Sequence, residues 1–282
     1  MKRSGYSRKV GVLVILTLAA LAIQVVPLWA QEEKPTGDLT AAVLNQYIWR
    51  GYEMSRSSVV IQPSMTIGYK GFTANLWGNL DTKAYSSTSA SYSGTWNETD
   101  LTLSYSKALG LFTVGGGYIY YSLASLNKDA ADRNDSQELF ASVSLNTLLS
   151  PTLTVYKEID HYRNWYFLLG IYHVVELNKM LSLKLAASAG YLMSTDAETY
   201  PKFNSSAAAT TDKFNNFHEG TLSASLPIKV SDRITITPTL SYIFPLTNDA
   251  RDEIKGLGLK GTLPSERDSS FVVGGLSLSF SF

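Results

Sequence analysis

The chain has 282 residues, no cysteine, and 24 basic against 24 acidic side chains. The lack of cysteine excludes disulfides, thiolate metal sites, cysteine nucleophiles and a lipidated N-terminal cysteine. With 17% charged residues and a mean hydropathy of −0.02, the chain is too polar for a helical membrane bundle.

Four of the basic residues, Lys2, Arg3, Arg8 and Lys9, precede an apolar run over 10–26, and Pro27-Leu28-Trp29-Ala30 leads into the polar Gln31-Glu32-Glu33-Lys34. This layout predicts a secretory signal peptide over 1–30, cleaved after Ala30. The alternative is an uncleaved anchor, but the 17-residue run sits at the short limit for spanning a bilayer. Without residues 1–30 the net charge is −4, which gives no basic face for nucleic acid. Residues 31–38 are expected to form a short periplasmic segment, and 39–282 a barrel.

From residue 39 onward the hydrophobic period is two. Val59, Ile61, Pro63, Met65, Ile67 and Tyr69 alternate with Val60, Gln62, Ser64, Thr66 and Gly68. Ile234, Ile236, Pro238, Leu240 and Tyr242 alternate with threonines and Ser241. Twelve such segments are predicted: 39–50, 58–69, 72–82, 98–107, 111–122, 136–146, 152–161, 165–176, 181–193, 217–228, 233–244 and 271–282. Each is near the length a tilted strand needs to cross a bilayer. Tight turns at 70–71, 108–110, 147–151, 178–180 and 229–232 alternate with long polar loops at 83–97, 123–135, 194–216 and 245–270, and two shorter ones at 51–57 and 162–164 fall on the side of the long loops. The fold class read from this rhythm is all-β, an up-and-down antiparallel transmembrane barrel with both termini periplasmic. In lipid every backbone polar group must be paired, and among strand structures only closure achieves this. A soluble barrel would alternate too, but with charge outside and hydrophobes inside. Here the polar face is mostly small and neutral, as a wet lumen requires. Two segments fit less well. Residues 165–175 are apolar on both faces, and Lys157 shares the lipid parity of Leu153, Val155 and Ile159, at mid-height. That predicts a bulge or a register shift. Residues 39–50 fit either register.

Tyr47-Ile48-Trp49-Arg50-Gly51 resembles the signature near the start of the TorF-type porin family. Tyr69-Lys70-Gly71-Phe72 followed by Asn75-Leu76-Trp77-Gly78-Asn79 is similar to that family's first periplasmic turn and third strand. The C-terminal Gly275 to Phe282, with Phe280 and Phe282, resembles the general barrel-assembly signal. The resemblance implies a Gram-negative outer-membrane barrel with a channel role. It carries no catalytic residues and names no solute. The partners it implies are outer-membrane lipid and lipopolysaccharide, the barrel-assembly machinery, and ions or small solutes.

Chemistry on the barrel is limited by three histidines, His161, His173 and His218. Adjacent Asp160 and His161 should point to opposite faces, and His218 falls on the outward parity, away from inward Ser223 and Ser225. Rim or girdle histidines are expected, with no catalytic residues, metal or cofactor. Parity places Asp81, Glu98, Asp100, Glu138, Glu158, Asp160 and Glu219 inward in the outer half, with Arg50 and Lys184 the inward bases. Trp77 and Tyr156 are inward aromatics. These carboxylates either confer cation preference on a narrow pore or pair with loop bases (Lys128, Arg133, Arg163, Arg251, Arg267) and plug it. Twelve strands tilted by about 40° give a backbone diameter of roughly 24 Å, enough for ions or small polar solutes. The alternative function is a non-conducting barrel acting as adhesin, scaffold or surface receptor.

Overall fold

The computed structural model describes residues 34–86 and 93–282. The expected signal peptide over 1–30 and the tip of the 83–97 loop lie outside them. Among the described residues no helix is long and apolar enough to cross a membrane.

Twelve strands run β1 Thr36–Leu44, β2 Val60–Tyr69, β3 Phe72–Ala84, β4 Ser93–Leu109, β5 Phe112–Leu123 and β6 Ser136–Leu145. They continue as β7 Thr152–Glu158, β8 Asn164–Glu176, β9 Ser182–Ser194, β10 Asn215–Ser225, β11 Ile234–Pro245 and β12 Phe271–Ser281. Each pairs antiparallel with its sequence neighbours, and β1 pairs with β12, which closes the barrel.

The register fixes two faces. Going round the wall outside, Phe280, Leu39, Met65, Leu76, Leu101 and Tyr120 stand in successive partner positions. Going round inside, the row is Ser279, Thr40, Ser64, Trp77, Asp100, Tyr121 and Ser136. The outward side chains remain exposed, Leu222, Leu240, Val272 and Leu278 each by more than half. Left in water, such a belt would forfeit about 25 cal/mol per Å² of apolar surface, so it calls for hydrocarbon around it. Aromatic rings sit where strands meet the short turns, with Phe72 and Tyr105 4.7 Å apart and Phe280 and Phe282 6.0 Å apart. The Lys70-Gly71 turn has φ of 51° and 84°, the two positive values of a type I′ hairpin.

Three expectations need correction. First, β1 stops at Leu44 and does not continue to 50. The Asn45 and Gln46 side-chain amides donate to the Val272 carbonyl (3.0 and 3.1 Å), and the chain then turns into the lumen. There, Ile48–Trp49 pairs with Tyr52–Glu53 in a small hairpin. Second, no bulge accompanies Lys157. β7 pairs without interruption on both sides and ends at Glu158, so Lys157 lies next to the outer strand end. Its ammonium lies 5.2 Å from the Trp165 ring, a snorkelling geometry at the interface rather than a charge at mid-height. Third, the long outer loops have structure of their own. Pro201–Phe203 pairs with Ala209–Lys213, and residues Asn248–Leu257 form a helix, α1. Thr247 caps α1 by accepting from Ala250 N, and Asp249 stands in its first turn.

Candidate functional site

The lumen divides into two halves. In the half near the short turns the inner face carries small neutral groups such as Thr66, Thr73, Thr113, Ser144, Thr152, Ser277 and Ser279, all partly accessible. Lys184 is also at that end, over the Tyr172 ring at 4.8 Å. Trp77 faces inward and packs against Tyr47 with ring centroids 5.5 Å apart.

The outer half is filled by the chain itself. Residues 45–59 leave the wall between β1 and β2 and cross to the opposite side. Met54 N donates to Tyr47 O (2.9 Å), and Tyr47 N donates to Ser55 Oγ (2.8 Å), which closes the segment on itself. At its tip Arg50 and Gly51 have φ of 48° and 84°. The tip delivers Arg50 to Glu138 on β6, where two N–H groups donate to the two carboxylate oxygens at 2.7 and 2.8 Å. Glu138 is 2% exposed and also accepts from the Tyr121 hydroxyl at 2.8 Å. The guanidinium is boxed by the rings of Trp49, Tyr156 and Tyr166 at 4.5, 4.6 and 4.1 Å. A planar, delocalised cation suits such a box better than an ammonium would.

A second lock joins α1 to the wall. His218 on β10 hydrogen-bonds Glu219 through Nδ1 at 2.9 Å, and its Nε2 faces a carboxylate oxygen of Glu253 on α1 at 3.3 Å. Tyr52 of the hairpin donates to Glu253 (3.0 Å), and Tyr166 donates to Glu219. This overturns the outward placement of His218, which is 1% exposed inside the barrel. Pairing between β9 and β10 shifts register between Ala189 and Tyr191, so His218 and Glu219 are both buried where one residue would alternate. Gly190 makes room: a Cβ there would sit 2.5 Å from a Glu219 oxygen. At the mouth, burial pushes the Glu53 carboxyl up, although Leu259 N donates to it at 2.7 Å.

Asp81, Glu158 and Asp160 are also engaged. Asp81 accepts from the Ser58 hydroxyl at 2.5 Å. Glu158 accepts from Ser136 Oγ and from the backbone N–H groups of Asp160, His161 and Arg163, holding the β7–β8 loop. Asp160 does not enter the lumen. β7 has ended, and Asp160 accepts from Gln137 at the rim (2.9 Å) beside His161 (3.2 Å). Glu98 and Asp100 face inward, Asp100 with one oxygen buried and unpartnered. Arg163, Arg251 and Arg267 do not neutralise this set. They lie against Asp196, Asp252 and the carbonyls of Lys255 and Gly256. Parity thus led to most of the inward acids but missed the partner of Glu138, Arg50 reaching across on a hairpin, and it missed His218 and Glu253.

No family model and no curated relative matches the chain, so the likeness to TorF-type porins rests on the motifs quoted above. Among solved structures, a NanC porin matches at 11% identity over 86% of this chain and 98% of its own, with a TM-score of 0.49. The translocator domain of the autotransporter NalP from Neisseria meningitidis matches at 9% identity over 96% and 98%, TM-score 0.40. OmpT of Vibrio cholerae matches at 8% identity over 88% and 97%, TM-score 0.38. At these identities the likeness concerns the barrel fold alone.

Proposed function

We propose that the protein is a narrow, porin-like channel of the bacterial outer membrane for ions or small polar solutes, shut at its outer half by its own 45–59 hairpin. The supporting observation is the contrast within one lumen: small wet side chains below, and above them a single hairpin anchored by a bidentate ion pair at its tip and by the Tyr52–Glu253, Glu53–Leu259 and Ser58–Asp81 hydrogen bonds. An apolar wall open to lipid and the Phe280–Phe282 terminus support export to the outer membrane after signal-peptide removal, in contact with lipid, lipopolysaccharide and the assembly machinery. The TorF-type motifs fit the same reading. Moving the hairpin aside would bare Glu98, Asp100 and Glu138 with Lys184 far below, and this underlies a preference for cations.

The reading is non-enzymatic. Both nitrogens of His218 face carboxylates. His161 Nδ1 is taken by the Asp135 carbonyl (2.9 Å) and Asp160. Neither arrangement leaves a base aimed at a hydroxyl nucleophile.

The test is planar-bilayer recording of the refolded mature protein under a KCl gradient. Brief openings with a cation-signed reversal potential are expected, longer in Arg50→Ala. Silence in both proteins would favour the second reading, a non-conducting scaffold or receptor. That reading draws on the same filled outer half.

A further inference from the structure

Above the plug the outer face is concave. A pocket of about 310 Å³ is lined by Trp49, Tyr52, Tyr162, Tyr200, Arg133 and neighbours. Beneath it a smaller cavity of about 40 Å³ shares Trp49, Arg133, Tyr162 and Tyr200 and reaches down to Glu98, Glu158 and Asn164. The two form one funnel, wide and aromatic at the top and polar at the bottom.

Two polar groups in it lack a hydrogen-bond partner in the protein, although Arg133 lies within electrostatic reach of Glu98. The Arg133 guanidinium makes no hydrogen bond or ion pair with any described residue. Asn164 is 3% exposed, yet its Oδ1 is buried and unpaired while its amide donates to the Tyr162 carbonyl. A buried acceptor without a partner costs stability unless something arrives to satisfy it. Water can do so when the funnel is empty, and a ligand hydroxyl can replace it.

We propose that this funnel binds a neutral pyranose, either free or at the end of a soluble oligosaccharide. A pyranose has an apolar C–H face and a rim of hydroxyls that both donate and accept. The rings of Trp49, Tyr162 and Tyr200 supply the stacking surface. Arg133 supplies a forked donor to adjacent hydroxyl oxygens, while Asn164 Oδ1 and Glu98 accept. Charged ligands fit less well. Glu98 and Glu158 in the floor repel phosphates and carboxylates, and Arg133 repels a quaternary ammonium at the entrance. The inference goes beyond conduction, because the pocket exists above a closed plug and binding does not require the barrel to open.

The experiment is titration calorimetry of the refolded mature barrel with glucose, galactose, mannose, N-acetylglucosamine and maltose, and with glycine and inorganic phosphate as charged probes. Saturable binding of at least one sugar is expected, weakened about tenfold or more by Arg133→Ala and by Tyr200→Leu. Tyr200→Phe should keep most of the affinity, and Trp77→Leu, lower in the lumen, should leave it unchanged. Heat-modifiable mobility on gels checks that each variant is folded, and Arg133 lies on an outer loop where the barrel does not depend on it. Absence of binding by every sugar, binding indifferent to both Arg133→Ala and Tyr200→Leu, or binding of phosphate or glycine in preference to sugars would each overturn the proposal.

Discussion

Arg50→Ala is the perturbation that separates a plug from a passive lining. In the native barrel the guanidinium makes two bonds of 2.7 and 2.8 Å to a carboxylate that is 2% exposed. Truncation leaves Glu138 buried and bonded only to the Tyr121 hydroxyl. Removing one partner of a buried pair costs about 3–5 kcal/mol. The empty ring box adds to that. The wall strands do not need Arg50, so the loss falls on the closed position of the hairpin. At about 1.4 kcal/mol per tenfold, the open fraction should rise by roughly two to three and a half orders of magnitude. The chain has no cysteine, so Met54→Cys introduces a single thiol, at a hairpin position 6% exposed. Its reaction rate with a water-soluble maleimide, measured in folded protein, reports opening directly. A rise of roughly 100-fold in the Arg50→Ala background is expected from the lower bound of that range. A change under about threefold would refute the claim that this pair holds the hairpin shut, since it would correspond to less than ~0.7 kcal/mol. The double variant Arg50→Met with Glu138→Gln removes both charges and should label more slowly than Arg50→Ala alone.

Four other outcomes follow from the same geometry. His218→Phe leaves Glu219 and Glu253 facing each other without a bridging cation or donor, and α1 should undock, seen as faster protease cleavage within 246–262 while the barrel core persists. Lys157→Leu should change urea stability by less than about 1 kcal/mol, because the ammonium already reaches the interface; a gain of ~2–4 kcal/mol would place it at mid-height after all. In an Arg50→Ala background, Asp100→Asn with Glu138→Gln should lower the K⁺ over Cl⁻ preference, and an unchanged reversal potential would remove these carboxylates from the pore. Deleting Phe282 should impair assembly, and a normal heat-modifiable barrel in its absence would refute an assembly role for that ring.

The wall was legible because its side chains alternate under one simple constraint, lipid outside and water inside. That pattern survives along most of the wall, apart from register shifts near residues 79–84 and opposite Gly190, and fixes register wherever one face is apolar. What it could not reveal are the places where the chain stops obeying period two. The bulge at His218 and Glu219 leaves little trace in the sequence, apart from a glycine across the ladder at 190. The hairpin did leave a trace. Trp49-Arg50-Gly51-Tyr52 repeats the aromatic-basic-Gly-aromatic pattern of Tyr69-Lys70-Gly71-Phe72, and both basic-Gly pairs adopt positive φ at both residues. Read as a turn signal, Arg50-Gly51 would have ended β1 early and placed a hairpin, with a cation at its tip, inside the lumen. Asn45-Gln46 just before it, two side chains able to bond the neighbouring strand's backbone, is the matching stop.

The most direct test of a channel shut by its own hairpin is single-channel recording after residues 46–57 are replaced by a short Gly-Ser linker, with heat-modifiable mobility confirming assembly. The account predicts steady conductance with a cation-signed reversal potential, against brief or rare openings in the parent protein. A folded, linker-bearing barrel as silent as the parent would contradict it and leave the outer loops as the seat of function.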